Sequence, residues 1–261
     1  MESFDSKYQS KLLRLSAHDR DRSRPNQTNS DFSIDIKSQN TELKKIVAIQ
    51  VVNCQIPNVF YNIPDGLNTF NFDDALSAPQ TVTITPGQYQ LVQFMDAFLD
   101  LIDTKLSFPL GTSSYVFDDI TNKITITFPE IITFTSHRED NPLLYKLGYG
   151  FDVYSGTTIA ASYIINLIGP HTVSIHSPEI SNGVLDYGSR SSTVRMIAQV
   201  PLDNPFGSMC YFNATTNSDI IKYQSLKSIN RIRLVLRDIQ GRRLDIQEHD
   251  WNMTLKIWYL L

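Results

Sequence analysis

Cysteine is nearly absent: Cys54 and Cys210 are the only two in 261 residues. Two thiols cannot staple a disulfide-dense scaffold, and without a Cys-x-x-Cys spacing they give neither a zinc site nor a dithiol redox centre. Cys54 lies inside an apolar run and is read as a small core residue. Long hydrophobic runs are missing too. The longest apolar stretch, 159–168, contains Ser162 and Asn166 and falls far short of the roughly 20 residues a membrane-spanning helix needs. It is expected to be a buried strand or loop, so no transmembrane segment is expected. Nor is there a surplus of positive charge: 27 acidic residues outnumber 23 basic ones, for a net charge of −4. No specific nucleic-acid partner is expected, and any such contact would have to be local. Residues 1–24 are polar and charged, without a basic segment followed by an apolar one, which predicts synthesis in the cytosol without a secretory leader.

Motifs that carry chemistry are equally scarce. There is no Gly-x-Ser-x-Gly nucleophile turn, and Gly148-Tyr149-Gly150 has two glycines with no helix pattern behind them, so a phosphate-binding loop is not expected. His171, His176 and Glu179 invite a metal reading of the kind seen in cupin-like enzymes. A five-residue step puts the two histidines on opposite faces of one strand, which argues against it. Asp73-Asp74 and Asp118-Asp119 sit in predicted turns, where carboxylates bond local backbone, and neither pair nor Asp186 has the register of a calcium loop. No catalytic, cofactor-binding or metal-binding residue is assigned, and the chain is not expected to be an enzyme.

What the chain does have is strands. Phe32, Ile34 and Ile36 alternate with Ser33, Asp35 and Lys37, and residues 46–56 form a longer β-rich run ending at Pro57. Residues 68–72 and 80–85 flank a loop; 115–117 and 123–128 flank Asp118-Asp119-Ile120-Thr121-Asn122, a turn sequence. Further strands are expected at 171–176, 193–200 and 208–212. Ser228–Arg237 and Asn252–Tyr259 look like a closing pair that builds the C-terminus into a sheet. About ten strands with turns between them describe a sandwich or barrel. Two helices interrupt them. Leu91, Phe94, Met95, Phe98, Leu101 and Ile102 recur at helical spacing after Thr85-Pro86-Gly87, and a short helix over 141–147 is predicted with Asn141 as N-cap, Pro142 at the first turn and Gly148 as the stop.

Two groups of arginines stand out. Arg14, Arg20, Arg22 and Arg24 lie in residues 1–30, a polar stretch read as an extended arm that orders itself on a neighbouring subunit. Arg231, Arg233 and Arg237 share one face of a strand, with Arg242 and Arg243 following. That face is either solvated or matched by acidic loops across a subunit interface, because guanidinium groups cannot be buried without such partners. Phe60-Tyr61 and Pro205-Phe206 are apolar loop residues suited to the same interface or to the core.

The order of elements carries a resemblance. Asn29-Ser30-Asp31-Phe32-Ser33-Ile34 after the polar arm, the strand ending Cys54-Gln55-Ile56-Pro57-Asn58-Val59-Phe60-Tyr61-Asn62-Ile63, Thr85-Pro86-Gly87-Gln88-Tyr89 opening a helix, Asp119–Phe128 with its Thr121-Asn122-Lys123 turn, and Leu144-Tyr145-Lys146-Leu147-Gly148-Tyr149 together resemble the penton proteins of large double-stranded DNA viruses and their virophages. The resemblance implies an all-β single jelly roll over 31–261, an antiparallel sandwich with one or two short helices in its connections, following an arm over 1–30. It further implies a homopentamer at the fivefold vertex of an icosahedral capsid in the virion, in contact with major and minor capsid proteins and open to carrying a vertex fibre. A jelly-roll module that binds receptor or carbohydrate on a spike or fibre is the alternative. The region 180–192 and the helices are not explained by eight strands.

Overall fold

The computed structural model describes residues 7–36, 43–74, 79–135, 141–180, 196–214 and 220–260. The described residues form fourteen strands and two α-helices. In chain order these are β1 (Gln9–Ser16), β2 (Asp31–Asp35), β3 (Leu43–Pro57), β4 (Thr69–Asp73), β5 (Pro79–Thr83), α1 (Leu91–Lys105), β6 (Ser114–Asp118), β7 (Lys123–Thr135), α2 (Pro142–Lys146), β8 (Val153–Ala160), β9 (Thr172–His176), β10 (Met196–Pro201), β11 (Met209–Asn213), β12 (Ile221–Ile229), β13 (Arg231–Arg237) and β14 (Asn252–Tyr259). All pairings between them are antiparallel. The chain is all-β, an antiparallel sandwich of jelly-roll type with helices in its connections.

These elements group into two compact units: Met1–Phe60 with Pro170–Leu261, and the continuous segment Tyr61–Gly169. The first unit is the sandwich. One of its sheets runs β1-β14-β3-β11, with β12 also on β3, and the other runs β10-β9-β13-β2. Alternation explains why both sheets feed one core. Ile232, Leu234 and Leu236 of β13 and Met253, Leu255 and Ile257 of β14 are fully buried, with Ile34, Val173 and Val200 from the second sheet and Ile46, Ile49 and Cys54 from the first.

The second unit is a single sheet, β5-β4-β7-β6 with β8 on β7, backed by α1. The predicted helix spacing holds: Phe94, Met95, Phe98 and Ile102 are buried. At its start the Gln90 N–H donates to Gln93 Oε1 at 3.2 Å, and Lys105 lies in the last turn, where a cation suits the exposed carbonyls. Asp103 is wholly buried on this helix. Its carboxylate accepts the N–H groups of Thr112 and Ser113 and the Ser113 hydroxyl, which fixes the loop into β6. The Asp118 turn forms as predicted: its carboxylate accepts Ile120 N–H at 2.9 Å and the Thr121 hydroxyl at 2.6 Å, and Asn122 takes the left-handed conformation with φ 55°.

Four readings change. Ser228–Arg237 is two strands broken at Asn230, with β12 in one sheet of the sandwich and β13 in the other. For that reason β13 and β14 do not pair: they face each other across the core, and alternation alone cannot distinguish a neighbour within a sheet from one opposite. Asn141 does not cap α2 with its side chain. Its Oδ1 instead accepts Asn71 N–H at 2.6 Å and its Nδ2 donates to Thr135 O at 2.7 Å, tying β4 to the end of β7. In 159–168 only the beginning is buried. Ile159 and Ala161 are core, whereas Tyr163, Ile164 and Ile168 are exposed. Within the stretch read as an arm, β1 pairs with β14 over eight residues, and Asn29 and Ser30 are buried. Asp186, most of 180–192 and the first residues of the strand expected at 193–200 lie outside the described residues.

Candidate functional site

The quoted motifs turn out to be places where distant segments of one unit meet. In the sandwich the meeting point is Asn29-Ser30-Asp31-Phe32. Trp251 Nε1 donates to Asn29 O at 2.7 Å, Leu236 N–H to Ser30 O at 2.8 Å and Ile246 N–H to Ser30 Oγ at 3.2 Å. The rings of Phe32 and Trp251 meet edge to face at 5.7 Å. In the helix-backed unit the corresponding residue is Asn62, 1% exposed. Its amide donates to Tyr89 O and Leu167 O, both at 2.8 Å, its oxygen accepts Tyr89 N–H at 2.9 Å, and its backbone N–H reaches Gln88 Oε1 at 3.1 Å. Both sites satisfy buried backbone groups that no ladder reaches.

The strongest electrostatic feature starts from Asp31. The alternation of β13 that sends Ile232, Leu234 and Leu236 inward puts Arg231, Arg233, Val235 and Arg237 on the other face, beside Asp31, Ser33 and Asp35 of β2. Arg233 binds Asp31 through two parallel bonds, Nε to Oδ1 and Nη2 to Oδ2, each 2.8 Å. Arg243 reaches the same Oδ2 at 2.7 Å from the loop beyond β13, brought there by the isolated bridge between Arg237 and Arg243. Arg231 Nη2 donates to Ser33 Oγ at 2.7 Å, and Arg237 Nη1 donates to Gly241 O. Glu179 accepts the Arg233 N–H at 3.0 Å. Arg242 pairs with Asp238 at 2.7 Å.

This geometry sets the acidities. The bonds to Asp31 raise the Arg233 pKa, whereas burial, followed by the field of Arg243, lowers that of Arg237. Acidic partners for the arginine face thus come from the same chain, where its sequence suggested a solvated face or a subunit interface, and they do not match it one to one.

Of the arm arginines, Arg24 joins this face, holding Asp21 at 2.7 Å and lining a cavity with Arg231, Arg233 and Arg243. Arg20 pairs instead with Glu248 at 2.8 Å. Arg14 and Arg22 are exposed and make no ion pair among the described residues. Of the candidate metal ligands, His171 is exposed and His176 buried. Among the described residues no three His, Cys, Asp or Glu side chains converge, and no helix is long and apolar enough to cross a membrane. Burial pushes the Cys54 thiol far up, so it is poorly suited to act as a nucleophile.

Of the apolar loop residues, Phe60 is core, Tyr61 half-buried and Phe206 partly exposed. Sequence reasoning missed a larger apolar surface on the helix-backed unit. Tyr145 and Phe151 lie 5.9 Å apart, ring to ring, and both are exposed, as are Val153, Tyr163 and Ile164. Gly148 in the left-handed region (φ 87°) lets the chain pass so closely that a Cβ there would stand 2.2 Å from Tyr163 O. That approach holds the Tyr163 segment outward, a signal present only as a glycine after a short helix.

The class defined by these features is an antiparallel β-sandwich scaffold whose distinguishing surfaces are an arginine face and an apolar patch. No protein-family model matches the chain, and no curated protein matches it in sequence. Among solved structures, the crystal structure of the selenomethionine-labelled penton protein of mavirus matches 97% of this chain and 100% of that chain with a TM-score of 0.50, at 12% sequence identity. The likeness is one of fold.

Proposed function

We propose that the chain is the penton subunit of an icosahedral viral capsid, a structural protein that forms a homopentamer at the fivefold vertex and contacts the major and minor capsid proteins around it. The observation that carries this reading is the fold likeness to a penton protein over nearly the whole of both chains. It accounts for both units at once, where a bare sandwich likeness would account for one. A ring of five closes through a heterologous contact, in which one surface of a subunit meets a different surface of the next. The molecule offers two such unlike surfaces: the arginine face with Arg231, Arg233 and Arg237, which Arg24 of the arm joins, and the exposed Tyr145, Phe151 and Tyr163. Exposed aromatic residues of this kind mark contact surfaces.

Light scattering on the purified protein across concentration and salt tests the proposal. A particle near five times 29.7 kDa, with fivefold rings in electron micrographs, is the expected result. A stable trimer overturns it and leaves a fibre or receptor-binding module as the better reading.

A further inference from the structure

The cavity beside β2 and β13 has a volume of about 430 Å³, and Arg24, Asp31, Ser33, Arg231, Arg233 and Arg243 are among the residues that line it. Its walls carry four guanidinium groups and one carboxylate. Asp31 already serves two of the four, Arg233 and Arg243, through three bonds of 2.7–2.8 Å. Arg24 is held by Asp21, outside the lining. Arg231 has only the neutral Ser33 hydroxyl, makes no ion pair among the described residues, and keeps its Nε buried with no acceptor. Asp35 lies directly across from Arg231 in the register but is not within ion-pair distance of it. Glu179 approaches the backbone of Arg233, and Asp238 is engaged by Arg242.

From this geometry we infer that the cavity is a binding site for a multivalent oxyanion of the phosphate class. Three features select that chemistry. The positive charge of the walls exceeds the negative, and crowding of like charges in one concavity attracts an anion. Just outside, burial and then the field of Arg243 lower the Arg237 pKa, the second of these being the same crowding. Guanidinium forks match tetrahedral oxyanions with parallel bonds. A phosphate-type group presents three or more acceptor oxygens to the arginines of the walls, against the two of a carboxylate. The rim is fixed beforehand: Gln27 Oε1 accepts Ser33 N–H at 3.1 Å, and Asp21 N–H donates to Ser33 O at 3.3 Å, so little ordering is needed on binding. The inference stands on these residues alone and does not rest on the capsid reading.

Titration calorimetry on the full chain, with inorganic phosphate, pyrophosphate and tripolyphosphate at constant ionic strength, tests it. The expected result is saturable binding of one anion per chain, tighter with each added phosphate group, and at least tenfold weaker in Arg231→Gln. Arg22→Gln, an exposed arginine outside the cavity, should leave it unchanged. Arg231→Lys, which keeps the charge but loses the fork, should lie between. Circular dichroism checks that each variant is folded, and Arg243→Gln supplies a second wall variant should Arg231→Gln unfold. Equal heats with acetate or chloride, or wild-type affinity in both wall variants, would overturn the inference. Binding of an acidic peptide without binding of tripolyphosphate would also overturn it and assign the cavity to an acidic segment of a protein partner.

Discussion

The two units solve the same burial problem with different side chains. The sandwich core is aliphatic, built from Ile, Leu and Val of facing sheets, with Phe32, Phe60 and Trp251 as its buried aromatics. The helix-backed core relies on Phe70, Phe72, Phe94, Phe98, Phe128, Phe134 and Tyr149. Two sheets about 10 Å apart interdigitate branched side chains along their whole faces. A fifteen-residue helix is only about 22 Å long and 10 Å wide, so it cannot cover a five-stranded sheet by itself. Large rings fill what it leaves open, as Phe70 does by meeting Phe72, Phe98 and Phe134 at 5.0–5.4 Å. The polar ties differ in parallel. The sandwich is tied by an ionised group, Asp31, and the second unit by a neutral amide, Asn62. The comparison teaches that the layer opposite a sheet, more than the sheet, decides which residues its inner face carries.

The most severe way to break the second unit alone is Gly148→Val. It forces a branched side chain into positive φ and onto Tyr163 O, and should cost about 4 kcal/mol or more. Urea unfolding checks this. Phe98→Ala should cost roughly 3–5 kcal/mol through the cavity it leaves. Both tryptophans, Trp251 and Trp258, belong to the sandwich, so their fluorescence reports that unit while circular dichroism reports both. An early dichroism transition with unshifted fluorescence is expected in Phe98→Ala. Coincident transitions would mean that the units unfold as one.

Asn62→Ala removes three side-chain bonds and should cost about 3 kcal/mol, with the same loss at low and high salt. Asp31→Asn should cost about 2 kcal/mol, discounted because Arg233 and Arg243 are half exposed. This loss should shrink as salt rises, because screening already weakens the wild-type pairs. A matching salt response in the two variants would erase the distinction between ionic and neutral ties.

The smallest effect belongs to Asp118→Ala. Bonds from the Thr121 hydroxyl and then Ile120 N–H lower the Asp118 pKa, so its contribution is present above the ordinary carboxylate range and is lost as pH falls through the lower folded value. The wild type should therefore lose a little more stability than the variant on acidification below roughly pH 4, as thermal melts across that range would register.

Much of this was legible because local chemistry wrote it. The helix over 91–105, the Asp118 turn and the burial of Cys54 follow from periodicity, turn residues and an apolar neighbourhood. So does the partition of β13, since one alternation carries both the buried Ile232, Leu234 and Leu236 and the outward arginines. Arg24 and Arg243 were visible as charges but not as members of one site. They line one cavity with Asp31 only because a loop, a hairpin and two paired strands converge. The apolar surface near Tyr163 read as core because composition does not show that Gly148 lets the chain pass on the outside.

By itself the sequence determined the strand-rich class, the inward faces and both helices, because each depends on neighbours a few residues apart, and the order of those elements carried the resemblance to penton proteins. The tertiary structure alone decided that β13 and β14 face each other from opposite sheets, that the cores number two, and that four guanidinium groups surround a single carboxylate. Those outcomes depend on pairings between segments as far apart as Asp31 and Arg243. No local pattern encodes such pairings, because a strand's alternation records that a face is covered and leaves open by what.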